Sequence, residues 1–220
     1  MATHIRENHG LLAGAEKRLL VWLAERMPAW VTSDQLTLVG LSSMLIAGLA
    51  FAGARWTPWT LPVVVLALAA NWFGDSLDGT LARVRNRQRP RYGYYVDHVI
   101  DIFGALFLLC GLALSGYMNP FLAIGMLVAY LMLSAEVFLA TYAQGVFRMA
   151  SFGFGPTELR IVLAIGALSL VRDPHVSLGA LGSYRLFDIG GIVAIAGMAA
   201  SLVMSAVRNT RALYLAETVR

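Results

Sequence analysis

An all-α integral membrane bundle is the fold class this sequence predicts, and three observations predict it: apolar composition, apolar runs near bilayer length, and an uneven division of Lys and Arg between the segments joining those runs. Of 220 residues, 58% are hydrophobic and only 14% are charged, with a mean hydropathy of +0.67. A soluble α/β domain carries roughly a quarter charged residues, so that class fits poorly. The chain reads as a single membrane domain over residues 1–220, with a juxtamembrane segment (1–30) before a six-helix bundle (35–207).

In the first segment Leu11, Leu12, Leu19, Leu20, Trp22, Leu23 and Met27 are interleaved with Glu16, Lys17, Arg18, Glu25 and Arg26. That pattern predicts an amphipathic helix lying on the membrane surface. Charges run through the first thirty residues without an apolar h-region and small-residue cleavage site, so no removed signal peptide is expected. Pro28 and the Thr32-Ser33-Asp34 cluster should break the chain and cap the next helix. Six spans follow, at 35–54, 58–82, 94–116, 120–143, 157–172 and 187–207, each near the length a bilayer demands. Small residues recur in most of them, including Gly190, Gly191 and Gly197, which allows close helix contact. The one cysteine, Cys110, lies in an apolar run and reads as a packing residue; no disulfide framework or Cys-based metal site is available.

With the N-terminus placed in the cytoplasm, that side collects thirteen cations: Arg6, Lys17, Arg18, Arg26, Arg83, Arg85, Arg87, Arg89, Arg91, Arg148, Arg208, Arg211 and Arg220. The other side keeps three, Arg55, Arg172 and Arg185, while Arg160 falls inside a span. The positive-inside rule then puts both termini in the cytoplasm. Trp30, Trp56 and Trp59 stand near span ends, as interfacial anchors do. The alternating Arg85, Arg87, Arg89 and Arg91 read as a positive-inside loop at an anionic leaflet, and no nucleic-acid partner is expected.

Against this background four carboxylates between Asp75 and Asp101 require an explanation, because an ionised carboxylate at membrane depth costs several kcal/mol unless paired, hydrated or cation-bound. The stretch reads Asp75-x-x-Asp78-Gly79-x-x-Ala82-Arg83, nine residues, then Gly93-x-x-x-Asp97-x-x-x-Asp101. At about 100° per residue the first group spans an arc of roughly 140° and the second about 80°. Two antiparallel helices can thus face their polar stripes to one another near one membrane surface. Arg83 can neutralise only one carboxylate. Hard oxygen ligands left with net negative charge suit Mg²⁺ or Mn²⁺, and a pair of such ions is a common arrangement for displacement at phosphorus.

The stretch resembles the defining pattern of the CDP-alcohol phosphotransferase family, D-x-x-D-G-x-x-A-R, a short spacer, then G-x-x-x-D-x-x-x-D. Every defining position is filled, and the spacer Val84 to Tyr92 is nine residues where the family usually has eight. The resemblance implies a metal-dependent enzyme that moves a phosphoalcohol group from a CDP-alcohol to an acceptor alcohol and releases CMP. Asp75, Asp78 and Asp97 would be the main ligands of two divalent cations, with Asp101 both ligand and general base. Gly79, Arg83 and Gly93 would contact the nucleotide. Asp34 would join them from the segment Thr32 to Thr37, which is similar to the family's P-N-x-L-T element with Ser33-Asp34 in place of Pro-Asn. Asp97-His98-x-x-Asp101 is similar to the choline and ethanolamine phosphotransferase branch, where the His is a second candidate base; here His98 stands about 60° from Asp101 around the helix, off the Asp97/Asp101 arc.

For the acceptor, the available groups are Arg148, Glu158, Arg160 and Glu136, the last equally readable as an interhelical hydrogen-bond partner. The expected donor is CDP-diacylglycerol, giving a phospholipid, with an anionic or neutral polyol as acceptor. The alternatives are a CDP-choline or CDP-ethanolamine phosphotransferase with a lipid acceptor and, in another class, a cation-binding transporter. A transporter would spread its acids across membrane depth, whereas these gather at one face. The resemblance also implies a homodimer, and the expected location is a bacterial cytoplasmic membrane with the active site facing the cytoplasm.

Overall fold

Proline and threonine punctuation fixes where the helices begin. The computed structural model of the chain describes residues 13–144, 156–177, 179 and 182–217. After α1 (Ala13–Arg26), Thr32 caps α2 (Ser33–Gly53): its hydroxyl accepts from the Gln35 N–H while the Gln35 side chain accepts from the Thr32 N–H, a reciprocal capping box. A 3₁₀ turn at Pro58–Thr60 leads into α3 (Leu61–Val84). α4 (Pro90–Leu114), α5 (Pro120–Gln144) and α6 (Pro156–Arg172) each open on a proline, whose missing N–H is no loss in a first helical turn. α7 (Leu186–Ala216) closes the chain.

These helices coincide with the six predicted spans, and five of them, counting the 3₁₀ turn with α3, are long and apolar enough to cross a membrane. The sixth, α6, has 17 residues. It rises only about 25 Å, less than a hydrocarbon core of about 30 Å. The all-α expectation needs one correction. Between α6 and α7, β1 (His175–Ser177) and β2 (Ser183–Arg185) pair antiparallel, with Val176 opposite Tyr184.

Part of the apolar surface of α1 is covered by protein, while Leu19 and Trp22 remain exposed. Leu20 and Ala24 are buried with Leu36 of α2 and Leu77 and Leu81 of α3. A second cluster around Phe51, Leu61, Leu68, Leu112 and Met118 reaches Phe187 of α7, which meets Phe51 edge to face at 5.9 Å. α5 and α7 leave most of their surface uncovered by the chain, with Leu139, Val193 and Val203 exposed, as lipid-facing helices do. Trp30, Trp56 and Trp59 are each more than 70% exposed, in keeping with interfacial anchoring. Cys110 is exposed on α4, so it is not the packing residue expected.

Close backbone contacts occur at glycines other than those singled out in α7. Among the latter, Gly190 and Gly197 face open space and only Gly191 is crowded, by Met118. The tight pairs lie on α2: Gly40 against Gly74 of α3, and Gly48 against Gly111 of α4, where a Cβ would run into the Gly48 carbonyl. A Cβ at Gly74 would stand 2.5 Å from the Leu36 carbonyl oxygen and 2.6 Å from the Gly40 nitrogen, both immovable without shifting a helix. Gly74→Ala is therefore expected to destabilise the protein by about 1–3 kcal/mol or more through overpacking. Gly197→Ala, with nothing within 4 Å, should leave the unfolding temperature in detergent unchanged or raise it. Equal unfolding temperatures for the Gly74 variant and the parent would refute the contact.

Candidate active site

The Gly40–Gly74 contact lies beside Asp75, and the site is built outward from it. With α2 and α3 this close, Thr37 reaches across: its hydroxyl donates to Asp78 Oδ2 at 2.5 Å, and the Gly79 N–H donates to Asp78 Oδ1. Buried Asn71, one turn before Asp75, donates Nδ2 to the Gly40 carbonyl at 3.0 Å and accepts from Arg160 Nε at 2.7 Å. Arg160 of α6 also donates Nη2 to Asp75 Oδ2 at 2.5 Å. Two helices beyond the motif pair are thereby fastened to the first carboxylates.

α4 supplies the rest. One ligand atom from each of Asp97, His98 and Asp101 can be chosen so that all lie within 4.8 Å of one another. His98 is buried, its ring stacked on Phe138 of α5 at 4.9 Å and tilted against Tyr94 at 4.1 Å. Its Nδ1 is 3.7 Å from Asp97 Oδ2. The histidine expected to stand off the Asp97/Asp101 arc is thus turned towards both. Asp75 and Asp97 act electrostatically on Asp78, and Asp75, Asp97 and Asp101 all act on Tyr130 of α5, so the four carboxylates share one neighbourhood.

Asp75, Asp78, Gly79, Arg83, Gly93, Asp97, His98, Asp34 and Arg160 line one cavity of about 1120 Å³. Asp101 lies one helical turn beyond Asp97 and is not part of its wall. Arg83 Nη2 donates to Thr80 Oγ1 at 2.9 Å, and a Cβ at Gly79 would come 3.4 Å from Arg83 Nη1, while Gly93 faces open space. At the rim Asp34 pairs with Arg89, whose guanidinium lies 4.1 Å over the Tyr92 ring. The hydrogen bond that Arg89 donates to Asp34 holds its guanidinium above its ordinary pKa. Arg85 donates to the Met27 and Pro28 carbonyls at 2.9 Å and to that of Val31, tying the α3–α4 turn to the α1–α2 junction. In that turn Asn86 takes a left-handed φ of 53°. Neither Arg85 nor Arg89 is merely a loop charge.

Of the acceptor residues anticipated, Arg160 alone reaches the cavity wall among the described residues. Glu158, two positions before it, lies outside the wall, and Glu136 accepts from Asn209 Nδ2 of α7 at 2.8 Å, the interhelical alternative. Arg148 lies outside the described residues. Sequence reasoning missed Asn71 and Glu16. Asn71 stands at i−4 from Asp75, on the same helix face, and a longer stripe would have included it. Glu16 shares the i, i+4, i+8 stripe of Leu20 and Ala24, so an acid on a buried face was the available signal.

The donor set fits a divalent cation. Clustered carboxylate oxygens are the hard ligands such ions require, and the Asp97/His98/Asp101 spacing is compatible with a shared coordination sphere.

Comparison with known proteins matches residues 28–208 to the family described as CDP-alcohol phosphatidyltransferase. Cholinephosphotransferase 1 of Gallus gallus is 27% identical over 184 residues, 78% of this chain and 54% of the relative. Cholinephosphotransferase 1 of Homo sapiens is 26% identical over 157 residues, 66% of this chain and 37% of the relative. The matched stretches thus span about half, or less, of the length of these relatives.

Proposed function

Since the chain belongs to the CDP-alcohol phosphatidyltransferase family, we propose that it transfers a phosphoalcohol group from a CDP-alcohol to an acceptor hydroxyl within a membrane, releasing CMP. The observation that carries this reading is the gathering of Asp75, Asp78, Asp97 and His98 with Gly79, Arg83 and Gly93 on the wall of one cavity.

Asp75, Asp78, Asp97 and Asp101 would hold two divalent cations, Mg²⁺ or Mn²⁺, which supply charge stabilisation at the pyrophosphate and leaving group. Arg83 holds phosphate oxygens, and Gly79 and Gly93, lacking Cβ atoms, let the nucleotide approach the helix backbones. The acceptor hydroxyl loses its proton to Asp101 as its oxygen bonds to phosphorus; the bond from phosphorus to the CMP oxygen breaks in the same displacement. Thr37 and the Gly79 N–H orient Asp78, and Arg160 with Asn71 orients Asp75. No covalent protein intermediate is required, so positioning and charge stabilisation supply the acceleration.

For the donor, CDP-diacylglycerol with a polyol acceptor at Arg160 is one reading, supported by the cation on the cavity wall. A CDP-choline or CDP-ethanolamine donor with a lipid acceptor is the second, favoured by the two relatives and by the Asp97-His98 pair. In either case α6 would complete six spans, α1 would lie at the interface with the cavity open to the cytoplasm, and two copies would form a homodimer. The thirteen-to-three division of Lys and Arg supports that orientation.

Purified protein should be given labelled CDP-diacylglycerol with a panel of alcohols and, separately, CDP-choline or CDP-ethanolamine with diacylglycerol, each with Mg²⁺ or Mn²⁺. CMP release with one donor class, abolished by chelation, is the expected result. No CMP from any combination would sink the proposal.

A further inference from the structure

Glu16 is the one acid of α1 turned into the bundle. Its Oε1 accepts from Trp72 Nε1 at 2.7 Å and from Thr157 Oγ1 at 2.8 Å, with Ser76 Oγ at 3.5 Å. These contacts join three helices across sequence separations of 56 and 141 residues, and Glu16 and Thr157 both line the cavity. Trp72 and Ser76 flank Asp75 on α3, while Thr157 lies in the first turn of α6, three residues before Arg160. A carboxylate is also electrostatically favoured at the first turn of a helix.

We propose that Glu16 is a positioning residue: by holding the start of α6 against α3 it aims Arg160 at Asp75 and Asn71. The proposal rests on the transferase reading for its kinetic arm and on the geometry alone for its structural arm. α6 packs against α3, and the pose of its first turn relative to Asp75 is fixed by Arg160 at one point and by the Glu16–Thr157 bond one turn earlier. Two points define the direction of a helix start; a single point lets it pivot. α1 thereby becomes a working wall of the cavity, and its sequence bears on the site through one side chain.

The test uses the full chain in detergent. Hydrogen exchange should rise in peptides covering the first turns of α6 in Glu16→Ala and Thr157→Val, with α2 and α4 unchanged. CMP release should fall about tenfold in both. Thr157→Ser, which keeps the hydroxyl, should restore both measurements. Arg160→Ala should cost more, on the order of a hundredfold, and Glu16→Ala added to it should cost less than threefold further, because residues acting through one another are not additive. Glu25→Gln, on the exposed face of α1, should match the parent throughout. Parental exchange in α6 of Thr157→Val, or a full further tenfold loss in the Glu16/Arg160 double variant, would overturn the proposal even if Glu16→Ala fails to fold. If the parent chain itself releases no CMP, the transferase reading fails while the exchange comparison still decides the role of Glu16.

Discussion

Asp78→Ala is expected to abolish CMP release, by a factor of about a thousand or more, corresponding to about 4 kcal/mol of transition-state stabilisation. Asp78 is where α2 meets α3: Thr37 fixes one carboxylate oxygen and the Gly79 N–H the other, so the side chain is held in place before any substrate arrives. A carboxylate prearranged in this way, beside Asp75 and Asp97, has its natural counterpart in a cation. Thr37→Val leaves the charge but frees its orientation, and should cost roughly tenfold. Excess chelator should reproduce the Asp78 loss in the parent protein. Activity measured with and without chelator at matched free Mg²⁺ or Mn²⁺ checks both, and a parental rate for Asp78→Ala would remove the metal reading altogether.

The second large effect concerns the proton. Asp101→Asn preserves shape while removing the acceptor of the hydroxyl proton, and turnover should fall by about two to four orders of magnitude with the protein still folded. His98→Gln should cost less. His98 lies between Tyr94 and Phe138 and close to Asp97, an arrangement that holds an imidazole still and suits a group that orients its neighbour. Asp101, on the other hand, stands one turn along α4 from Asp97 and brings a carboxylate oxygen within 4.8 Å of ligand atoms of Asp97 and His98, in reach of the same substrate. Comparing kcat and its pH profile for the two variants decides the matter, and a larger loss in His98→Gln would transfer the proton to the imidazole.

The sequence carried the helices and the motif because both are local. Apolar runs of bilayer length, opened by Pro90, Pro120 and Pro156, placed the long helices close to their observed bounds, except that α7 runs on past the expected end at 207 to Ala216. The carboxylate stripes followed from helical spacing alone. What stayed hidden depends on which helix lies beside which. Arg160 meets Asp75 across 85 residues and Thr157 meets Glu16 across 141, and no periodicity encodes such pairs. The extra residue in the α3–α4 turn could be counted, but not the Arg85 clasp on the α1–α2 junction that accompanies it. Small residues such as Gly190 and Gly197 permit close approach without compelling it, and a Cβ at either meets nothing within 4 Å. The hairpin of β1 and β2 is three residues a side, too short for an alternating pattern to register.

α2 is gripped by glycine at two depths, Gly40 against Gly74 and Gly48 against Gly111, so substitution tolerance should divide the chain unevenly. At Gly48, Gly74 or Gly111 a single added methyl group meets the backbone of a neighbouring helix and should force that helix to move. Tolerated substitutions in the α2–α4 half should be confined to exposed positions. α5 and α7 are joined to the remainder by side chains such as Phe138 on His98 and Phe187 on Phe51, with much of their surface bare. The exposed residues of that half should exchange without disturbing the carboxylates, whereas Phe138, Tyr130 and Phe187 should not. A chain partitioned in this way can acquire a new acceptor preference by drift in its later helices while the chemistry at phosphorus stays fixed, and a saturation library scored for folded yield should show the boundary between α4 and α5.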